Sequence, residues 1–316
     1  MNILLIGCGG TGSAIAAELV KRDNITTIQL YNRSVEKACR LEETLGSSKV
    51  SIVESIIDAS LPDFIVVAVS GMNSKTREKS VLQCQTTFDI RQREMLHNIG
   101  SIGEVVEDLS VANFSGSRIF VLTNPVDEFT NLMRIMLPNN DVIGFGMSLD
   151  AARYSATLGR EVFCIGEHGH GIPLVGLGDI AAYERLYAAN DQKLMDRIRM
   201  CGIPHEFVGN EFGLFFDYFT GARQSIVHAS YYLEESFLGV AGLSMSAPFY
   251  ASGGVIRGHV DVKASETERF LFNKQAISVA DAATKMADFY MKFARRGFEN
   301  RAIGAYCSAA LAKSCA

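Results

Sequence analysis

Short apolar runs rich in β-forming residues recur through the first part of the chain: Ile3–Ile6, Thr26–Tyr31, Val50–Val53, Phe64–Val69, Arg118–Thr123 and Val142–Phe145. Longer segments of helical period separate them. Thr11 to Lys21 places Ile15 and Leu19 on one face, and Val35, Leu41 and Leu45 mark a helix that Gly46 ends. This alternation predicts an α/β fold, a doubly wound parallel sheet over residues 1–146. After about residue 150 the rhythm changes. Long apolar-aromatic stretches, Glu206 to Leu238 and Asn273 to Arg296, predict helices, few runs look like strands, and Ser252-Gly253-Gly254 marks a turn. The expectation is a second, mainly helical domain over residues 147–316. No repeat and no Pro-rich linker separates the two, so they should share a packed interface.

Composition narrows the function. With 48% hydrophobic and 21% charged residues in 316, disorder is excluded. A formal net charge of −5, without a run of five like charges, gives no broad surface for nucleic acid or an anionic membrane. The seven cysteines are scattered without a C-x-x-C, which argues against a disulfide framework or zinc ribbon and for a reducing, cytoplasmic setting. The apolar start, Met1 to Gly7, is too short for a signal peptide or membrane span.

Gly7-Cys8-Gly9-Gly10-Thr11-Gly12 follows a strand and opens a helix, where backbone amides and the helix N-terminus receive a pyrophosphate. This is the dinucleotide fingerprint of the Rossmann fold. About twenty residues on, where an acid would bind the ribose diol of NAD, the chain reads Asn32-Arg33-Ser34. Asn32 removes the charge that would repel a 2′-phosphate, Arg33 supplies a forked donor and Ser34 a hydroxyl, so NADP is favoured and NAD remains possible. A turn and cap role for Asn32 and Ser34 is the alternative.

Three further polar motifs stand near strand ends: Thr123-Asn124-Pro125-Val126-Asp127, Leu149-Asp150-Ala151-Ala152-Arg153 and Gly166-Glu167-His168-Gly169. With the glycine loop, and in this order, they resemble the L-lactate/L-malate dehydrogenase family (motifs N-P-V-D, L-D-x-x-R and G-E-H-G). The resemblance implies that His168 is the general acid/base, that Asp150 fixes and stabilises its imidazole, that Arg153 grips a substrate carboxylate, and that Asn124 bonds the reacting oxygen or the nicotinamide ribose. An arginine of the family's mobile loop polarises the carbonyl, and Arg93 is the candidate, with Arg91 as the alternative. The implied activity is an NAD(P)-dependent interconversion of a 2-oxo acid and a 2-hydroxy acid, in a homodimer or homotetramer. The alternatives are reduction of an imine or another carboxylate-bearing carbonyl compound, and a dinucleotide-responsive protein without catalysis.

No metal is expected. His168, His170, Cys201 and His205 are loosely spaced as zinc ligands, and hydride transfer needs no ion. The resemblance covers residues 1–70 and 93–170 and then fades. Only 18 residues separate Asp150 from His168, fewer than in the family. Between residues 71 and 92 Lys75, Arg77, Gln83, Gln85 and Arg91 are candidates for reading the substrate side chain. Gly242-Leu243-Ser244-Met245-Ser246 resembles the segment that floors the family's substrate pocket. The aromatic row from Phe207 to Tyr232 is expected to be core or interface.

Overall fold

A computed structural model describes residues 1–72, 76, 79–80, 83–84, 86–221 and 225–294. Lys75, Arg77, Gln85, Arg296, Cys307 and Cys315 lie outside the described residues.

The parallel core strands are β1 (Asn2–Ile6), β2 (Thr27–Tyr31), β3 (Val50–Ile52), β4 (Phe64–Val67), β5 (Arg118–Val121) and β6 (Asp141–Gly144), ordered β3-β2-β1-β4-β5-β6. Ile3, Leu4, Leu5 and Ile6, like Ile65, Val66 and Val67, are fully buried, because helices cover both faces of a parallel sheet. That two-sided burial is why these strands read as continuous apolar runs. The order reverses at β1 and β4, and the crevice outside the carboxyl ends of these two strands is where such sheets bind ligands. The helices of this half are α1 (Gly10–Leu19), α2 (Val35–Leu45), α3 (Thr87–Ala112) and α4 (Val126–Met136).

The second half contributes α5 (Met147–Leu158), α6 (Ile180–Cys201), α7 (His205–Phe219) and α8 (Glu266–Ala294). It also holds the short ladder of β7 (Cys164–Ile165) with β8 (Ile172–Pro173), and the strands β9 (Ser225–Tyr232), β10 (Ser244–Ser252) and β11 (Val255–His259). The helix expected from Glu206 to Leu238 stops at Phe219, where Thr220 and Gly221 (φ +76°) turn the chain, and β9 takes over from Ser225. β9 joins β6 antiparallel through Gly144 and Ser230, so β9, β10 and β11 extend the parallel core into one nine-stranded sheet. The Ser252-Gly253-Gly254 turn links β10 to β11, with both glycines at positive φ.

The aromatic row of α7 is core. Phe120 on β5 meets Phe212, Phe215 and Phe219 edge-on at centroid distances of 5.8, 5.7 and 5.2 Å. One hydrophobic cluster thereby runs from Ile3 and Leu5 through Phe120 to Phe272 and Val279, across both halves. α7 also packs against α1. A Cβ on Gly209 would lie 2.8 Å from the Ala14 carbonyl oxygen, and one on Gly213 would lie 2.6 Å from Glu18 Cγ, so two glycines one turn apart allow the close approach. Arg22 on the C-terminal side of α1 ties the pair down through Asp217 at 2.9 Å. Among the described residues no helix is long and apolar enough to cross a membrane, and Cys8, Cys39, Cys84, Cys164 and Cys201 are free thiols.

Candidate active site

The glycine loop leaves β1 under steric constraint. Gly7 has φ +107°, and a Cβ there would fall 2.5 Å from the Ala68 carbonyl oxygen. A Cβ on Gly12 would collide with the Gly7 carbonyl at 1.8 Å, so α1 starts close against the strand. Over Gly9 nothing lies within 4 Å, and no side chain caps the helix that follows. The loop opens into a cavity of about 670 Å³ lined by Gly7, Gly9, Gly10, Asn32, Arg33, Ser34 and Lys37, among others. Open glycine amides at a helix N-terminus, beside a cavity of dinucleotide size, fit a pyrophosphate-bearing cofactor.

On the wall of this cavity, the residue expected from the sequence to face the ribose is partly committed to structure. Asn32 accepts from Cys8 N at 2.9 Å through Oδ1 and donates to the Ser34 carbonyl at 2.8 Å through Nδ2. The turn role weighed from the sequence therefore holds for Asn32. Arg33 is largely exposed and 3.9 Å from Glu104, leaving its guanidinium loosely held. Lys37 joins it on the cavity wall.

Next to the cavity, and sharing Gly9, Gly10 and Ser70 with it, lies a smaller cleft of about 170 Å³ that includes Arg91, Asn124, Arg153 and His168. Here the shortened connection between Asp150 and His168 still brings the two together. Asp150, one turn into α5, accepts from His168 Nδ1 at 3.0 Å, from Gly169 N at 2.6 Å and from Arg153 Nη1 at 3.0 Å. The imidazole lies against Gly146, where a Cβ would come within 2.4 Å of Cγ, so only glycine fits before α5. Asp127, fully buried at the start of α4, holds His168 from behind, accepting from its backbone N at 2.8 Å and from Ser246 Oγ at 2.7 Å.

Electrostatics follow from this packing. Burial pushes the His168 imidazole below its ordinary range, Asp150 pulls it back, and Arg91 adds to the downward push. For Asp150, burial alone would raise the carboxyl, but His168, Arg153 and Arg91 outweigh it and hold it well below the usual carboxylate range. Two more carboxyls lie beneath. Burial raises Glu128 well above its normal value and lifts Glu167 to about 7.

The structure brings Arg91 to His168 and leaves Arg93, the residue expected from the sequence, outside the cleft. Arg93 is exposed and donates to Gln83 Oε1 at 2.9 Å, whereas Arg91 is buried in the cleft and its Nη2 donates to His168 Nε2 at 3.4 Å. Two residues apart on a helix is a rotation of about 200°, so the two side chains cannot share a face. Arg91 Nε and Nη1 are buried and, among the described residues, meet no acceptor. Gly169 makes room for the guanidinium, since a Cβ there would be 2.0 Å from Cζ.

The Gly242–Ser246 segment is also placed differently from the expectation. Ser244 and Ser246 are buried on β10, where Ser244 N donates to Asn131 Oδ1 and Ser246 supports Asp127, so the segment braces α4 from behind. The cleft wall comes instead from Leu194, Ile198, Ile203, Pro204 and Val208, around the α6–α7 junction. Sequence reasoning also gave no role to Glu94 or Asn98. Both lie one and two turns after Arg91 on the buried face of α3. Glu94 accepts from Asn124 Nδ2 at 3.0 Å, and Asn98 donates to the Asn124 carbonyl at 2.8 Å. Asn124 Oδ1 remains buried and without a partner among the described residues.

No family model matches the sequence. The L-lactate dehydrogenase of Chloroherpeton thalassium is 27% identical over 185 residues, 54% of this chain and 57% of that protein. The malate dehydrogenase of Aeropyrum pernix superposes with a TM-score of 0.71 at 18% identity, covering 90% of this chain and 99% of that one. The chain is a divergent relative of the lactate and malate dehydrogenases. The match to the first curated relatives spans only 57% of their length. The malate dehydrogenase of Archaeoglobus fulgidus, solved in complex with NADH, shares the fold with a TM-score of 0.68 at 19% identity. This dehydrogenase relative thus shares the fold of these neighbours at low sequence identity.

Proposed function

We propose that this chain is an NAD(P)-dependent oxidoreductase that interconverts a 2-oxo acid and a 2-hydroxy acid, with NADP preferred. The observation that carries the reading is the Asp150 carboxylate shared by His168 and Arg153, at the floor of a cleft that opens onto the glycine-loop cavity. The lactate dehydrogenase relatives and the NADH-bound neighbour support the same chemistry.

The cofactor would be held by Gly7, Gly9, Gly10, Thr11 and Gly12 at its pyrophosphate and by Asn32, Arg33 and Ser34 at its adenosine ribose. When bound it supplies or accepts the hydride. NADP preference rests on the missing carboxylate at Asn32 and on Arg33 and Lys37 beside it.

With Asp150 accepting from Nδ1, the neutral His168 carries its proton there and offers the Nε2 lone pair to Arg91. An anionic substrate held by Arg153 offsets the positive field of the two arginines, and the imidazole then takes up a proton on Nε2. From Nε2 that proton passes to the substrate oxygen in reduction and returns in oxidation. Asp150 keeps the ring oriented and stabilises its charged form. The Arg91 N–H groups that lack an acceptor among the described residues meet the charge that develops on the carbonyl oxygen. Glu94 takes one of the two N–H groups of the Asn124 amide, and Oδ1, without a donor among the described residues, suits a ribose hydroxyl or the product hydroxyl.

The test is a steady-state scan of 2-oxo acids, with matching imines, against NADPH and NADH, repeated for His168→Asn. The proposal expects turnover with at least one 2-oxo acid, a loss of at least about a thousandfold in kcat for the variant, and an unchanged cofactor Kd. Turnover that survives in His168→Asn refutes the mechanism, activity confined to imines refutes the substrate class, and no turnover with intact dinucleotide binding favours the non-catalytic reading.

A further inference from the structure

We propose that His205 is a ligand of the cofactor's pyrophosphate, so that a proton-binding side chain from the second half helps to hold the dinucleotide; this rests on the dinucleotide reading above. His205 opens α7 directly after Pro204. Its ring lies over the glycine loop, where a Cβ on Gly10 would be 2.3 Å from Nε2. Nδ1 is 3.2 Å from Thr11 Oγ1, and Nε2 is the ring nitrogen turned toward Gly10. Gly9 next to it is open, and His205, Gly9 and Gly10 line the same cavity. An anion seated on the amides of Gly9 and Gly10 therefore meets an imidazole as well as backbone N–H groups.

The placement is not a loop accident. Gly209 and Gly213 let α7 lie against α1, and the Arg22–Asp217 pair fixes that packing, so His205 is presented by a rigid element to the helix that bears the phosphate loop. Among the described residues the other charged groups on the cavity stand elsewhere. Arg33 and Lys37 line it beside Asn32, at the adenosine end, with Glu104 facing Arg33 and Asp108 one turn on along α3. Arg199 on α6 is held by Asp196 at 3.6 Å and donates to the Cys84 carbonyl, and Glu206 follows His205 on α7. Among the described residues His205 is thus the titratable group over Gly10, and an imidazole beside a doubly negative group takes up a proton.

The experiment is calorimetric titration of NADPH, NADH and ADP-ribose, in buffers of unequal ionisation enthalpy between pH 6 and pH 8. Adenosine, which lacks the pyrophosphate, is measured by competition. Wild type is compared with His205→Gln and His205→Ala, with thermal unfolding as the folding control. Wild type is expected to take up a fraction of a proton on binding NADPH. Both variants should lose that uptake and bind NADPH and ADP-ribose about tenfold more weakly, with adenosine unchanged within about twofold. Retention of affinity and proton uptake in a folded His205→Gln, or an equal weakening of adenosine, overturns the assignment. Failure of folded wild type to bind NADPH, NADH or ADP-ribose overturns the cofactor reading itself, an outcome separate from intact binding that ignores His205.

Discussion

Replacing Arg91 by Met, beside a matched Arg93→Met control, separates the two arginines by function and by stability at once. Arg91 contributes a buried guanidinium 3.4 Å from His168 Nε2, and its Nε and Nη1 lack acceptors among the described residues. Each unmet buried donor costs on the order of 1–3 kcal/mol, while Met fills a similar volume without polar atoms. Arg91→Met should therefore leave stability unchanged or raise it by about 1–2 kcal/mol, a few degrees in Tm for a chain of this size. Activity should move the other way. Loss of a donor aimed at a developing oxyanion costs about 2.7–4 kcal/mol, or about a hundredfold to a thousandfold in kcat. The removed charge also depresses the His168 imidazole, so the pH profile of kcat/KM should shift upward in Arg91→Met. Arg93, exposed and bonded only to Gln83 in the described structure, should change kcat by less than about threefold on replacement. Steady-state kinetics across pH and differential scanning fluorimetry read all of these. A large kcat loss in Arg93→Met, or strong destabilisation by Arg91→Met, would refute the reasoning.

Three further outcomes are expected. Asn32→Asp keeps an acceptor for Cys8 N and adds a charge that repels a 2′-phosphate, so the NADPH-to-NADH ratio of kcat/KM should fall by about tenfold or more; an unmoved ratio removes the basis of the NADP preference. Glu167 holds its proton to about pH 7 in the fold but to about 4.3 unfolded, so the native state binds more protons between these values and stability declines as pH rises through that window. Denaturant titrations should show a decline on the order of 3 kcal/mol between pH 4.5 and pH 7.5 that Glu167→Gln flattens, and an unaltered slope would count against the buried carboxyl pair. Gly209→Ala places a methyl 2.8 Å from a backbone oxygen and should cost about 1–3 kcal/mol by chemical denaturation, whereas Gly213→Ala meets the side chains of Glu18 and Arg22, which can shift more readily than backbone, and should cost less than Gly209→Ala.

How much of this was legible follows from where burial is two-sided. β1, β4 and β5 are covered on both faces and announce themselves as unbroken apolar runs, whereas β9, with Ser225, His228 and Ser230 among its residues, carries no such signal and was absorbed into the preceding helix. Gly221, at positive φ, was the mark that could have ended α7. At the site, Asp150, Arg153 and His168 were readable because each sits in a short motif whose spacing survives. Choosing between Arg91 and Arg93 needed the register of α3, which the spacing of Arg91, Glu94 and Asn98 at three and four residues does encode on the buried side. His205, weighed in the sequence only as a zinc ligand, and the Ile203-Pro204 wall could not be placed because they reach the loop and cleft through tertiary packing, and no local pattern marks such a contact.

The rung between Gly144 and Ser230, with the shared core and the α1–α7 packing, makes the two halves one fabric. A chain severed between residues 146 and 147 would leave β6 and β9 each with a raw edge and would strip Phe120 of its aromatic neighbours on α7, inviting the fragments to clump unless they found each other. For the same reason, an architecture that transplants the half with the glycine loop alone into another protein has to supply a substitute strand and a greasy helix before that half can stand by itself.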